Sequence, residues 1–346
     1  MSKVFFLPWS KLDKYGEWLN TTGMADHIHE NDLVALKIHF GEKGNHGYIR
    51  PQYAKAVADK VKDKNASPFL TDTSTIYAGK RVNAVSHTLL AAEHGFTLGK
   101  CACPVIIADG LRGNAGVSVE VNLKHFKHVQ IGNAIHYADS YIFLNHFKGH
   151  ELSGFGGVLK NMGMGCGTRG GKIMIHNSVR PKMNTDKCTA CGECVKWCGV
   201  KALRLENKKA VLDTNVCVGC GECTLRCKFG VFEIPWDESV SVVQEKIVEY
   251  AYGVINGKRH FSINFINHVT KLCDCYRTVE PPLLDNIGVM ASADPVALDQ
   301  ASADLVNKVY GSDFWRFIYP HIDSSVQLQY AEKLGMGTRK YEVVEY

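Results

Sequence analysis

Residues 188–198 read CTACGECVKWC, and residues 217–227 read CVGCGECTLRC. Cys188, Cys191, Cys194 and Cys198 recur as Cys217, Cys220, Cys223 and Cys227, each displaced by 29 residues. Both halves have the spacing C-x2-C-x2-C-x3-C, a [4Fe–4S] ligand run whose fourth cysteine serves the other cluster. Three thiolates on a tight loop reach three corners of one cube. The short helix that follows carries the fourth thiolate to the second cube. The spacing therefore assigns one cluster to Cys188, Cys191, Cys194 and Cys227, and the other to Cys217, Cys220, Cys223 and Cys198. Zinc suits a single CxxC…CxxC pattern, but eight cysteines in two cluster runs do not suit zinc. Gly192 and Gly221 leave the ligand loops free to turn and to present N–H groups to sulfur. Val231–Ile234 reads as a strand over one cluster. Residues 180–236 carry ten Lys/Arg and six Asp/Glu, a formal +4. Two oxidised cubes with their thiolates, at about −2 each, neutralise that charge.

Outside this repeat the chain is ordinary. Of its 346 residues 45% are hydrophobic and 22% charged, which excludes disorder, collagen and a disulfide miniprotein. The formal charge is +5, with no basic run of the nucleic-acid-binding kind. No stretch of about 18 apolar residues occurs, so no membrane span is expected. Met1–Trp9 lacks the apolar run and cleavage site of a signal peptide. Thirteen cysteines then point to metal or redox chemistry in the cytoplasm rather than to disulfides.

The flanks alternate between strand and helix patterns. Strands are expected at Lys3–Leu7, Leu33–His39, Pro68–Asp72, Pro104–Asp109, His128–Ile131, Ser140–Asn145, Phe261–Ile266 and Asn286–Met290. Helices are expected at Pro51–Lys62, Ala84–His94, Gly156–Met162, Ser239–Ile255 and Pro295–Val309, the last capped by Asp294 with Pro295 at its first position. Such alternation predicts an α/β fold, a mostly parallel sheet covered by helices on both faces. Neither flank alone completes that sheet. The expected organisation is one discontinuous α/β domain, residues 1–179 and 237–346, with a small α+β two-cluster domain inserted at 180–236.

Ligands of open α/β sheets sit beyond the carboxyl ends of strands. The polar residues just after the expected strands are His39, Glu42, Lys43, Asp72, Thr73, Asp109, His146, Lys148, His150, Glu151, Cys273, Cys275 and Asp294. Of these, His39, Lys43, His146, Lys148 and His150, together with Cys166, are the candidate catalytic or proton-handling groups. Gly154, Gly156 and Gly157 precede a helical pattern, where exposed N–H groups can hold an anion. A second glycine group surrounds Cys166 and leaves it on a loop. In an extended segment Cys273 and Cys275 face the same way, so they can bind a further metal or form a redox pair with Cys166. No nicotinamide or flavin signature is present, because GFGG is not a GxGxxG motif.

The repeat closely resembles the bacterial two-[4Fe–4S] ferredoxins, over about 55 residues and with all eight ligands. It departs in one respect: Gly199 and Lys228 follow the fourth cysteines, where that family usually has proline. The whole chain resembles the domain of unknown function 362 family, through LKIHFGE (36–42), HFKGHELSGFGGVLKNMGMGCGTRGGK (146–172), CDC (273–275) and IGVMASADPVALDQA (287–301). The resemblance implies an α/β domain with the ferredoxin unit inserted, and it supplies no activity. Three functions remain open: a redox enzyme passing electrons through two [4Fe–4S] clusters to a substrate or metal in the α/β domain; an electron carrier docking to a redox partner protein; and a metal- or cluster-handling protein. Oxygen-sensitive cubes imply an anaerobic host.

Overall fold

Runs rich in Val, Ile, Leu and Phe become the strands of one eight-stranded sheet, as their β propensity dictates. The computed structural model describes residues 1–176, 182–217, 219, 221–233, 239–277 and 280–346. The strands are β1 (Ser2–Pro8), β2 (Leu33–Lys37), β3 (Ser67–Asp72), β4 (Val105–Ile107), β5 (Ser140–His146), β6 (Arg259–Ile266), β7 (Gly288–Ser292) and β8 (Tyr341–Glu345). Their order is β8-β1-β7-β6-β5-β2-β3-β4. β7 runs antiparallel to both neighbours, and the remaining neighbours pair parallel.

Both faces of the sheet are buried, and the period-two alternation of each strand feeds two cores. Tyr141 and Phe143 of β5 join one core, Ile142 and Leu144 the other. On the second face lie α1 (Pro51–Lys62) and α2 (Ala84–Glu93), through Ala54, Val57, Ala58, Val61 and Ala91. The first face is covered by α3 (Val158–Cys166), α4 (Arg169–His176), α5 (Val240–Ile255), α6 (Pro295–Tyr310) and α7 (Ser325–Lys333). Asp294 caps α6, accepting the Val296 and Ala297 N–H groups at 2.9 Å, with Pro295 at the first helical position. No helix among the described residues is long and apolar enough to cross a membrane.

Strands β1 to β5 precede the cysteine-rich segment and β6 to β8 follow it, yet β5 and β6 are direct parallel neighbours. One sheet is therefore built from both sides of the segment. The segment has a small core of its own, formed by Cys194, Leu203, Ala210, Val231 and Phe232. Lys182–Met183 pairs antiparallel with Phe232–Glu233, and Leu203–Glu206 with Lys209–Leu212. The first pairing brings the two ends of the segment together. The expected junctions at 179/180 and 236/237, and Ile234 of the expected strand, lie outside the described residues.

Three expectations change. The strand at 128–132 forms, but it pairs with Gly116–Glu120 in a separate hairpin and does not enter the sheet. The helix expected from Gly156 starts at Val158, because Gly154–Gly156 first pairs with Lys148–His150. Residues 169–176 are the helix α4 rather than a glycine loop. From β2 the chain steps outward through β3 to β4, and from β5 it steps the other way to β6. The crevice between the carboxyl ends of β2 and β5 is thus a topological switch point.

Candidate functional site

A cavity of about 550 Å³ opens at that switch point. β2 brings Lys37 and, just beyond it, His39; β3 brings Asp72; β5 brings Asn145 and His146. Lys37, though in an apolar strand, is tied to Asp72 at 3.0 Å and to Asn161 at 2.7 Å. Arg81 meets Asp72 at 3.6 Å and Glu42 at 3.4 Å. Burial alone would lift the Asp72 carboxyl, but Lys37 with its cationic neighbours holds it well below the usual carboxylate range. Lys148 meets Asp274 at 3.1 Å, and Asp274 also takes His146 Nδ1 at 2.9 Å. Against its burial, His146 and Lys148 keep Asp274 ionised. His146 Nε2 faces the Asn267 carbonyl at 2.7 Å, so both its ring nitrogens are engaged.

Lys172 projects from α4 into the same cavity. Its ammonium donates to the carbonyls of Ser74 (2.8 Å) and Gly167 (3.2 Å) and to Thr73 Oγ1. Burial pushes it down to about 8. Burial likewise lowers His39, His150 and His176, so neutral imidazole is favoured at each.

The two thiols of the CDC sequence line the cavity wall. They do not sit in an extended segment: residues 273–276 form a turn in which Tyr276 N–H donates to the Cys273 carbonyl at 3.1 Å. The turn still aims both sulfurs inward, and Cys275 N–H donates to Cys273 Sγ at 3.3 Å. Cys275 Sγ lies 3.5 Å from His39 Nε2, and Lys160 Nζ lies 3.8 Å from Cys273 Sγ. The hydrogen bond between the two sulfurs, with help from Lys160 and His39, holds Cys275 well below the ordinary thiol range. That same hydrogen bond and burial push Cys273 up. The thiolate form is thus favoured at Cys275 over Cys273.

Most of the residues named from the sequence converge here. His39, His146, Lys148, His150, Gly156, Gly157, Cys273 and Cys275 all line the cavity. Others stand elsewhere, Glu42 among them, paired with Arg81. Lys43 is exposed on the loop after β2 and does not line the cavity. Cys166 is the last residue of α3, not on a loop, and is buried in the core away from the cavity wall; its thiol faces the Asn161 carbonyl at 3.8 Å and burial pushes it up to about 12. Asp109 is buried on Ser74, and Asp294 is the cap of α6. The expected anion loop already holds an anion of the chain's own: Asp299 accepts the Val158 and Leu159 N–H groups at 2.8 and 2.9 Å, and Gly154 is a strand residue. Sequence reasoning missed Lys37, Arg81, Lys160 and Lys172, which look like isolated surface charges until the fold gathers them.

A second, much smaller cavity lies in the cysteine-rich segment, lined by Cys188, Cys191, Cys194 and Cys227 among others. N–H groups point at four sulfurs: Ala210 at Cys188 (3.3 Å), Ala202 at Cys198 (3.2 Å), Gly219 at Cys217 (3.4 Å) and Val231 at Cys227 (3.4 Å). Gly192 and Gly221 adopt φ of 76° and 69°, the left-handed turn that glycine tolerates. No disulfide joins two of the described cysteines; Cys220 lies outside the described residues. Among the described residues no three His, Cys, Asp or Glu side chains gather closely enough to hold one metal ion.

α4 joins the two regions. Arg169 and Ile173 face the cysteine-rich segment: Arg169 pairs with buried Glu222 at 2.5 Å, and a Cβ on Gly221 would stand 2.3 Å from Ile173 Cδ1. Lys172 and His176, spaced to share the same helix face, line the large cavity. Nearby, Trp197 lies between the guanidinium groups of Arg112 and Arg226, each 4.1 Å from its ring.

The fold is that of an open α/β protein with a cavity at the switch point. The chain belongs to the DUF362 family (domain of unknown function), whose model matches residues 34–304. No curated protein matches it in sequence. Among solved structures it is similar to the lactate racemase apoprotein from Thermoanaerobacterium thermosaccharolyticum, at 10% identity and a TM-score of 0.45, over 88% of this chain and 57% of that one. It is similar also to a Thermotoga maritima protein, at 10% identity and a TM-score of 0.41, over 86% of this chain and 58% of that one. The chain thus covers less than two thirds of either structure.

Proposed function

We propose that the protein is an iron–sulfur oxidoreductase that receives electrons from a redox partner protein and passes them to a small-molecule substrate in the α/β cavity. Cys188, Cys191, Cys194 and Cys227 would hold one [4Fe–4S] cluster, and Cys217, Cys220, Cys223 and Cys198 the other. The observation that carries this reading is the small cavity lined by three cysteines of the first half of the repeat and the fourth of the second. That crossed set is what the spacing demands. The N–H groups directed at Cys188, Cys198, Cys217 and Cys227 suit thiolates that carry metal-bound charge. When bound, such clusters supply one-electron transfer.

The chain's own residues divide the remaining work. Arg169, Glu222 and Ile173 fix the cysteine-rich segment against α4. Lys172 Nζ, held by two carbonyls and a hydroxyl, stands ready to give or take a proton near pH 8. Asp72 and Asp274 orient Lys37, Arg81, His146 and Lys148 around the substrate space. A simple electron carrier would leave that space without an occupant, which favours the enzyme over the docking module.

Single substitutions test the ligand assignment. Cys194→Ala should abolish the first cluster and Cys223→Ala the second, each leaving roughly half the iron and sulfide of the wild type. Unchanged iron in either variant contradicts the assignment.

A further inference from the structure

We propose that Cys275 and Cys273 form a dithiol that reduces a small disulfide bound in the large cavity. This goes beyond the electron-transfer reading and stands without it.

Geometry at the 273–276 turn carries the inference. Both sulfurs line one cavity wall and sit two residues apart in a turn, where the Cys275 backbone N–H donates to Cys273 Sγ at 3.3 Å. His39 Nδ1 accepts the Gly41 N–H at 3.0 Å. The proton of the neutral imidazole therefore lies on Nε2, which faces Cys275 Sγ. Lys160 is the cavity cation with no carboxylate or carbonyl partner among the described residues: Lys37, Arg81 and Lys148 pair with carboxylates, and Lys172 with carbonyls. Lys160 Nζ lies 3.8 Å from Cys273 Sγ, and its charge favours the thiolate form of the neighbouring Cys275. A thiolate beside an ammonium and an imidazole N–H, open to a cavity, is the setting of a reactive cysteine. The metal alternative lacks a third ligand, because no group of three ligating side chains gathers here among the described residues. The cavity volume of about 550 Å³ is that of a small-molecule site.

The chemistry balances without another reactant. Cys275 thiolate attacks one sulfur of the substrate disulfide; the Cys275–S–S–R bond forms and the second substrate sulfur leaves as a thiolate. That thiolate takes the Cys273 proton. Cys273 sulfur then displaces the remaining substrate sulfur and closes the Cys273–Cys275 disulfide. The protein loses two electrons and the substrate disulfide gains them. Cys275 and Cys273 are catalytic residues; His39 and Lys160 are positioning residues.

The test uses the intact chain, prepared anaerobically and reduced, with dithiodipyridine as the small disulfide. Trypsin then releases the peptide Leu272–Arg277, which mass spectrometry reads independently of iron content. The wild-type peptide should carry an internal disulfide and no adduct. Cys273→Ser should trap a lasting pyridylthio adduct on Cys275, and Lys160→Gln should slow its formation roughly tenfold. A wild-type peptide that stays reduced, or one that carries a separate adduct on each sulfur, overturns the proposal. So does a folded Cys273→Ser chain whose Cys275 is unmodified. Should the cysteine variant not fold, the wild-type peptide and the Lys160→Gln rate still decide.

Discussion

Asp299 shows how a single residue can reverse an expectation. Fully buried, it accepts the first N–H groups of α3 and the Asn264 side-chain amide at 2.8 Å. A Cβ on Gly157 would stand 2.1 Å from its Oδ1, so the glycine is needed for the carboxylate to fit. The glycines that read as a loop for an external anion thus make room for an internal one. Asp299→Ala leaves two buried N–H groups unpaired and should lower stability by roughly 2–4 kcal/mol. The check is a shift in the urea midpoint; an unchanged midpoint contradicts the role. Burial pushes the Asp299 carboxyl up to about 6. Between its ordinary value and about 6 the native state binds more protons than the unfolded chain. Its contribution is therefore present at low pH and lost as pH rises through about 6. Asp299→Asn should flatten that part of the stability–pH curve. The cysteine spacing was legible because metal ligation fixes it along the chain. The cavity cations were not, because Lys37, Lys160 and Lys172 take most of their partners from distant strands and loops.

At the scale of elements, α4 is the instructive case. Gly170 and Gly171 argue against a helix, so the stretch reads as a loop. The glycines serve close packing instead: a Cβ on Gly171 would stand 2.9 Å from both the Tyr250 ring and the Gln130 carbonyl. Packing against α5 overrides propensity, and a sequence window cannot see it. By contrast α1 and α6 match their expected bounds closely, because each has an apolar stripe and proline at its first position. The contact of α4 with the cysteine-rich segment is tight enough to test. Gly221→Ala puts a methyl group into Ile173 and strains a residue at φ 69°. The variant should loosen the segment and speed its limited proteolysis. Adding Ile173→Ala should relieve the steric part and restore part of the resistance. Equal proteolysis of wild type and Gly221→Ala contradicts the contact.

For the whole molecule, alternation of strands and helices gave the mostly parallel sheet, and the neighbouring of β5 and β6 across the cysteine-rich segment follows from neither flank completing it alone. What the sequence concealed was the edge: β8 pairs parallel with β1, Ser2 opposite Tyr341, a contact between the two ends of the chain that no local pattern announces. The molecule then presents a cysteine repeat and a cavity with paired charges and two thiols, both contacted by α4. The account depends on metal in the repeat. Iron and acid-labile sulfide, measured per chain on anaerobically purified protein, test it most directly: the account predicts about eight of each, and a chain free of sulfide, or holding zinc in place of iron, would contradict it.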